Sequence, residues 1–236
     1  MLAAWGVHLY TGLGAALGLF ALDAITRGDY RFAFMWMAVA TVIDCTDGTL
    51  ARRVRVKEIL PHFDGSKLDD IVDYLNYVVV PVALACHAAL LPAGRGGLLL
   101  AALPLLASGY GFCQQEAKTP DHFFTGFPSY WNIVVFYFYV LGTSVWTNAG
   151  FVVLFSILVF VPIRYLYPSR NPVARRTTHV LGIVWAFCVA LLLLQLPAPS
   201  RLLAWGSLYF PIYYFAVSLR VHFRRTVRGR SAAVRS

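Results

Sequence analysis

Charged residues are scarce in this sequence. Only 13% of its 236 residues are Asp, Glu, Lys or Arg, whereas 59% are hydrophobic and the mean hydropathy is +0.65. Soluble domains carry about 25% charged residues, so this composition excludes an ordinary soluble globular fold. It indicates a membrane protein.

Paired cysteines are also missing. The four cysteines show no C-x-x-C spacing and lie in apolar stretches. We therefore expect them to be small buried side chains, and neither a disulfide framework nor a zinc site is predicted. They are Cys45, Cys86, Cys113 and Cys188.

Long polar segments are lacking as well, which leaves almost no room for a soluble domain. A helix needs about 20 apolar residues to cross a bilayer. The chain predicts an all-α, polytopic membrane bundle of about eight transmembrane helices, with one domain over 1–223 and a basic cytoplasmic tail over 224–236. The predicted spans are 3–25, 31–50, 66–91, 96–114, 131–146, 149–167, 178–196 and 202–223.

The distribution of cations predicts the orientation. With both termini in the cytoplasm, sixteen of the twenty Lys and Arg residues fall on the inner side, as the positive-inside rule requires. The basic tail is explained by topology and by attraction to anionic headgroups. Without a soluble domain to present the tail, nucleic-acid binding is not predicted.

Acids at the ends of two neighbouring spans are the most informative feature. Asp44 and Asp47 close the second span, and Asp69 and Asp73 open the third. An unpaired acid in a membrane helix costs at least about 2.5 kcal/mol. Four such acids need a neutralising partner, and a divalent cation is the natural candidate because hard cations bind carboxylate oxygens.

Helical spacing places the acids on two stripes together with small residues. One stripe consists of Asp44, Asp47, Gly48 and Ala51, and the other consists of Gly65, Asp69 and Asp73 and extends toward Asn76. Glycine lets a bulky ligand approach the backbone, and a nearby arginine offers a bidentate fork for phosphate. The alternative is a set of helix-end acids paired with the cations that follow, which are Arg52, Arg53, Arg55 and Lys57.

The pattern D-x2-D-G-x2-A-R followed by G-x3-D-x3-D resembles the signature of the CDP-alcohol phosphotransferase family. These are membrane enzymes that move a phosphatidyl or related group from a CDP-linked donor to an alcohol. The gap of twelve residues between the two halves is longer than is usual in the family. With the segments 123–132 and 167–170, it is similar to bacterial members that join CDP-diacylglycerol to choline. The matching residues are Asp44, Asp47, Gly48, Ala51, Arg52, Gly65, Asp69 and Asp73.

The resemblance implies a metal-assisted transfer at the cytoplasmic side of a bacterial inner membrane. Asp44, Asp47, Asp69 and Asp73 would hold about two divalent cations, Mn²⁺ or Mg²⁺, and Asp73 would also be the general base. The donor, CDP-diacylglycerol, would be bound by Gly48, Ala51, Arg52, Gly65 and Arg170, with His8 and Thr11 expected to contact the nucleotide. Membrane lipids would surround the enzyme, and a homodimer is expected because the family is often dimeric.

Choline poses a separate recognition problem because its trimethylammonium group donates no hydrogen bond. Aromatic faces attract such a cation by about 0.5–2 kcal/mol each. The segment after the fourth span is aromatic, and it predicts a choline site. An aromatic belt at the membrane interface is the alternative for any single residue. The expected choline-binding residues are Phe123, Phe127, Tyr130 and Trp131, with Glu116 as a counter-charge.

Two rival functions follow from the same residues. The first rival is transfer to a different acceptor, such as serine, glycerol phosphate or inositol phosphate. Arg164 and Arg170 would neutralise the phosphate of such an acceptor. An ion-coupled transporter is the other, since acids within membrane helices also bind ions. A transporter has no need for Arg52 and Gly65 at these positions, and its acids usually lie near the midplane.

Overall fold

The computed structural model describes residues 1–114, 123–166 and 175–233, and helices dominate all three parts. In chain order the elements are α1 (Leu2–Thr26), α2 (Tyr30–Val54), α3 (Val56–Ile59), α4 (Gly65–Tyr74), a π-helical turn (Leu75–Val79), α5 (Val80–His87), α6 (Arg95–Cys113), β1 (Phe123–Thr125), α7 (Trp131–Leu141), α8 (Val145–Phe160), β2 (Arg164–Leu166), α9 (Arg175–Gln195), α10 (Arg201–Ser207) and α11 (Tyr209–Ala233).

Among the described helices, four are long and apolar enough to cross a membrane. The prediction of an all-α membrane protein is confirmed at this level, but eight spans are not established. Helices α7 and α8 are apolar and shorter, and α2 carries the acidic stripe. The segment predicted as 131–146 stops at Leu141 because Gly142 takes the left-handed conformation that ends a helix. The four candidate spans are Leu2–Thr26, Arg95–Cys113, Arg176–Gln195 and Arg201–Phe223.

Two short strands depart from the all-α prediction. Strand β1 pairs antiparallel with β2, with Phe124 opposite Tyr165. Directly after β1, the backbone N–H of Phe127 donates to the carbonyl oxygen of Leu158 in α8 at 3.0 Å. These bonds hold the segment that leads into α7 against the end of α8.

Small residues bring α4 close to α1. A Cβ atom at Gly14 would lie 2.5 Å from the Cγ1 atom of Val72, so only glycine permits this approach. The side-chain amide of Asn76 donates to the carbonyl oxygen of Gly14 at 2.9 Å. The helix that carries Asp69 and Asp73 is thereby held against α1, which also packs on α2.

The predicted single span 66–91 contains a break in helical geometry. The chain forms a π-helical turn at Leu75–Val79, in which the Val80 N–H donates to the carbonyl oxygen of Leu75. Pro81 follows, and it has no N–H to donate to residue 77, which removes one α-helical hydrogen bond. Such turns change the direction in which the following side chains point, and they are frequent at functional sites.

The connection between α2 and α4 is closed by local capping. Arg55 ends α2 in the left-handed conformation with φ of 56°. The Asp64 carboxylate then accepts the backbone N–H groups of Ser66 and Lys67, each at 3.1 Å, and so starts α4 at Gly65. The chain therefore reverses between the two acidic stripes and leaves both at the same end of the bundle.

The main hydrophobic core is formed by α1, α2, the π-helical turn and the helices from α5 to α11. Its members include Val78, Leu84, Trp131 and Leu192, each with no measurable exposure. A smaller cluster of Ala4, Val7 and Val56 joins α1 to α3. Along α2, the stripe of Asp44 and Asp47 lies between these two clusters.

Candidate metal centre

Three of the four predicted acids converge in the structure. Asp44, Asp47 and Asp69 each offer a carboxylate oxygen, and these oxygens lie within 4.8 Å of one another. Asp47 is buried, and the other two are partly buried. The helical stripes thus meet face to face, as their spacing predicted.

The electrostatic cost of this arrangement is large. Two unit charges 4.8 Å apart repel by about 3–4 kcal/mol at an effective dielectric constant near 20, and the cluster contains three such pairs. Hydrogen bonds to a charged group contribute about 1.5–3 kcal/mol each. A divalent cation would offset this repulsion, and three carboxylate oxygens are a donor set that fits a hard cation.

Two of the acids, Asp47 and Asp44, are each oriented by a hydroxyl group from a neighbouring element. The Thr11 hydroxyl in α1 donates to the Asp47 carboxylate at 2.9 Å. The Tyr77 hydroxyl in the π-helical turn donates to the Asp44 carboxylate at 2.6 Å. Partners of this kind fix the orientation of a ligand and are typical of metal sites.

Asp73 lies one helical turn beyond Asp69 on α4, and it is partly buried. A spacing of four residues puts Asp73 on the same face of α4 as Asp69. Asp73 is therefore close to the cluster without being one of the three acids whose oxygens converge.

Two of the cations named in the alternative interpretation, Arg52 and Arg55, have partners outside the cluster. The Arg52 guanidinium donates to the Thr49 hydroxyl at 2.9 Å, and Arg55 lies 4.0 Å from Glu58. Arg52 also borders Gly48, where a Cβ atom would lie 3.3 Å from its Nη1 atom. An exposed guanidinium beside a glycine remains available to an anionic ligand.

The predicted nucleotide-binding residues of α1 both reach the site. The His8 ring covers Gly65 so closely that a Cβ atom there would lie 2.5 Å from its Cε1 atom. His8 is 8% exposed and packs on Phe63 at a centroid distance of 4.3 Å. Within the described residues its Nε2 atom is buried and has no hydrogen-bond partner. Ala51 is partly buried and packs on the small cluster beside α1.

The aromatic segment divides between the interior and the site. Trp131 is fully buried, and its indole N–H donates to the Ser108 hydroxyl at 2.9 Å. Phe127 is also buried and stacks on Phe155. Tyr130 is partly exposed and lies beside Tyr77, with ring centroids 6.2 Å apart. Tyr130 is thus a predicted choline-binding residue that contacts Tyr77, the residue whose hydroxyl donates to Asp44.

Three of the predicted site residues have side chains that the structure does not describe. Glu116 and Arg170 lie outside the described residues, and only the backbone of Phe123 is described, in β1.

Sequence reasoning missed Tyr77. A signal was present, because Tyr77 follows Gly65, Asp69 and Asp73 at the same spacing of four residues. The stripe predicted from the sequence continues to Asn76 instead.

Comparison with curated proteins identifies relatives over most of the chain, although no family model matches it. Phosphatidylcholine synthase of Legionella pneumophila is 44% identical over 232 residues, which cover 94% of this chain and 89% of the relative. That of Pseudomonas aeruginosa is 38% identical and covers 88% of each chain. That of Agrobacterium fabrum is 34% identical over 77% of this chain and 75% of the relative. The chain belongs to the phosphatidylcholine synthase family.

Proposed function

We propose that this protein is a CDP-diacylglycerol-dependent phosphatidyltransferase that makes phosphatidylcholine from CDP-diacylglycerol and choline and releases CMP. The observation that carries the proposal is the convergence of Asp44, Asp47 and Asp69 within 4.8 Å. Relatives named phosphatidylcholine synthase support the choice of reaction. The same family membership disfavours an ion-coupled transporter.

Asp44, Asp47 and Asp69 are the residues that would hold divalent cations, Mn²⁺ or Mg²⁺, with about two per site and Asp73 at their edge. Bound cations supply Lewis-acid stabilisation of charge on the donor pyrophosphate and on the departing CMP. Thr11 and Tyr77 keep the carboxylates of Asp47 and Asp44 in position for this task.

The donor nucleotide would lie along the small and basic residues around the acids. Gly48 and Gly65 allow its pyrophosphate to approach the helix backbones, and the Arg52 guanidinium is placed to bind phosphate oxygens. The buried Nε2 atom of His8 offers a hydrogen bond to the nucleotide. Arg170 is a further proposed contact.

Asp73 is the proposed general base. It takes the proton from the choline hydroxyl as that oxygen attacks the phosphorus nearest the diacylglycerol. The new P–O bond replaces the bond to the CMP phosphate, which leaves with its electron pair. A base needs to act only in this step, and Asp73 lies next to the converging acids instead of among them.

We also propose the number of membrane spans and the side of the membrane that the acids face. Helices α2, α7 and α8 and the α4–α5 unit would join the four candidate spans to make eight. The acids would face the cytoplasm in a bacterial inner membrane, and residues 1–223 would form one domain. The basic tail predicted from residue 224 begins inside α11, which extends to Ala233. A homodimer is part of the same proposal.

The test is a panel of acceptors. Purified protein in detergent receives CDP-diacylglycerol, Mn²⁺ and one of choline, ethanolamine, serine, glycerol phosphate or inositol phosphate, and mass spectrometry identifies the lipid. We expect phosphatidylcholine and an equal amount of CMP. Asp69→Asn is the matched inactive control. Preferential use of another acceptor contradicts the assignment of choline, and failure with every acceptor contradicts the reaction class.

A further inference from the structure

Three tyrosines from distant parts of the chain meet beside the acidic cluster. Tyr77 comes from the π-helical turn, Tyr130 from the residue before α7, and Tyr214 from α11. The ring centroids of Tyr77 and Tyr130 lie 6.2 Å apart, and those of Tyr130 and Tyr214 lie 6.3 Å apart. We call these three residues the tyrosine wall.

One end of the tyrosine wall contacts the acidic cluster. The Tyr77 hydroxyl donates to Asp44 at 2.6 Å, so its ring stands directly next to a candidate metal ligand. At the start of α7, the Asn132 side-chain amide donates to the Thr41 hydroxyl at 3.4 Å, one turn before Asp44 on α2. Tyr130 is therefore held at the same level of the bundle as the acids.

The rings of the wall differ in burial. Tyr77 is 9% exposed and Tyr214 is 6% exposed, whereas Tyr130 between them is partly exposed. The two pairs lie at 6.2 and 6.3 Å with their planes tilted by 57° and 62°, within the range of about 4.5–7 Å for paired rings. Tyr130 is therefore the ring of the wall that a ligand reaches most directly.

The position and the chemistry of the tyrosine wall suit the trimethylammonium group of choline. In choline, two carbons separate the reacting hydroxyl from the trimethylammonium group, so this group must bind next to the acids that serve the reaction. It donates no hydrogen bond, and aromatic faces are the groups that attract it. The carboxylates of Asp44 and Asp73 supply negative charge on the same side.

We propose that the tyrosine wall binds the quaternary ammonium group of the acceptor, with Tyr77 joining this subsite to the metal centre through Asp44. The inference rests on the proposed function and names the residues that select its acceptor. The inference assigns the role to Tyr77 and Tyr214, which were not among the predicted choline-binding residues, and retains Tyr130, which was.

The first test needs no substitution. Choline is compared with 3,3-dimethylbutan-1-ol, which has the same shape but a neutral carbon in place of the ammonium nitrogen. Because ring faces attract the cation and not the neutral group, we expect a KM for the neutral alcohol at least about tenfold higher than for choline. Equal KM values overturn the inference while leaving the transfer reaction intact.

The second test uses paired variants. Replacing Tyr130 or Tyr214 by Leu removes a ring, and we expect the KM for choline to rise about five- to thirtyfold with a smaller change in kcat. The corresponding Phe variants keep the ring and should stay within about threefold of wild type. The KM for CDP-diacylglycerol should not change in any of them.

Phe210→Leu is the matched control. It removes a ring from the same helix as Tyr214, but Phe210 packs on Trp185 at 5.3 Å, away from the acids. We expect it to keep the wild-type KM for choline. Binding of Mn²⁺, followed by electron paramagnetic resonance of the free ion, reports whether each variant retains a folded site.

The outcomes are distinct. If both Leu variants bind Mn²⁺ and keep the wild-type KM for choline, the wall is structural and the inference is wrong. If the Phe variants lose choline as severely as the Leu variants, the hydroxyls and not the ring faces are responsible, which also overturns it. A wild-type protein that transfers only to a different alcohol contradicts the proposed function itself.

Discussion

The hydrogen bond from Thr11 to Asp47 should control the affinity for the metal. Thr11 is 7% exposed and Asp47 is 5% exposed, so water does not readily replace the lost donor. Thr11→Val keeps the shape of the side chain and removes the hydroxyl. A hydrogen bond to a buried carboxylate contributes about 1.5–3 kcal/mol, and loss of such outer partners lowers metal affinity by about 10- to 100-fold.

The assay separates binding from turnover. The Mn²⁺ dissociation constant is measured by electron paramagnetic resonance, and the Mn²⁺ concentration for half-maximal lipid synthesis is measured in parallel. We expect both to rise by about 10- to 100-fold in Thr11→Val. Thr11→Ser retains the donor and should remain close to wild type. At saturating Mn²⁺, Thr11→Val should recover most of its kcat.

Tyr10→Phe is a matched control, because it also removes a hydroxyl contact between α1 and α2. Tyr10 lies 2.8 Å from the Thr46 hydroxyl and does not touch the acids. Its Mn²⁺ affinity should therefore remain unchanged. Unchanged Mn²⁺ affinity in Thr11→Val would refute the reasoning, and an equal loss in Tyr10→Phe would show that helix packing, not the carboxylate contact, is responsible.

Four further outcomes follow from the same geometry. Chelation with EDTA should abolish lipid synthesis, and added Mn²⁺ or Mg²⁺ should restore it; full activity in the chelator contradicts a metal mechanism. Asp73→Asn should bind CDP-diacylglycerol better than Asp69→Asn, because a base is needed only for transfer; equal loss in a binding assay argues against separate roles. Gly65→Ala should raise the KM for the donor, since its Cβ atom would displace the His8 ring; an unchanged KM shows that the ring adjusts freely. Trp131→Phe should lower stability by about 1–3 kcal/mol through its lost buried hydrogen bond, with little change in the KM for choline; the reverse result makes it a choline ligand.

The acidic stripes could be predicted because their geometry is local. Asp44 and Asp47 share a helix face by spacing alone, and the short loop before Asp69 leaves the next helix beside the first. The sequence also predicted an all-α membrane protein, which the long apolar helices confirm at that level. The family prediction is confirmed by the relatives.

The contacts around the acids could not be read from spacing alone. Tyr77 continues the four-residue spacing of Gly65, Asp69 and Asp73, but it contacts Asp44 from a π-helical turn, whose wider geometry a regular helical pattern does not represent. Tyr214 lies far along the chain and meets Tyr130 only through tertiary packing. The full burial of Trp131 likewise depends on Ser108 in α6. These contacts are decided by tertiary packing, and periodicity carries no information about them.

The direct test of the central claim is the fate of the choline oxygen. Wild-type protein is incubated with CDP-diacylglycerol, Mn²⁺ and choline carrying ¹⁸O in its hydroxyl group, and both products are analysed by mass spectrometry. Attack by the choline oxygen on the phosphorus nearest the diacylglycerol predicts ¹⁸O in phosphatidylcholine and none in CMP. Phosphatidylcholine without the label, label in CMP, or formation of the labelled lipid in the presence of EDTA would contradict the account.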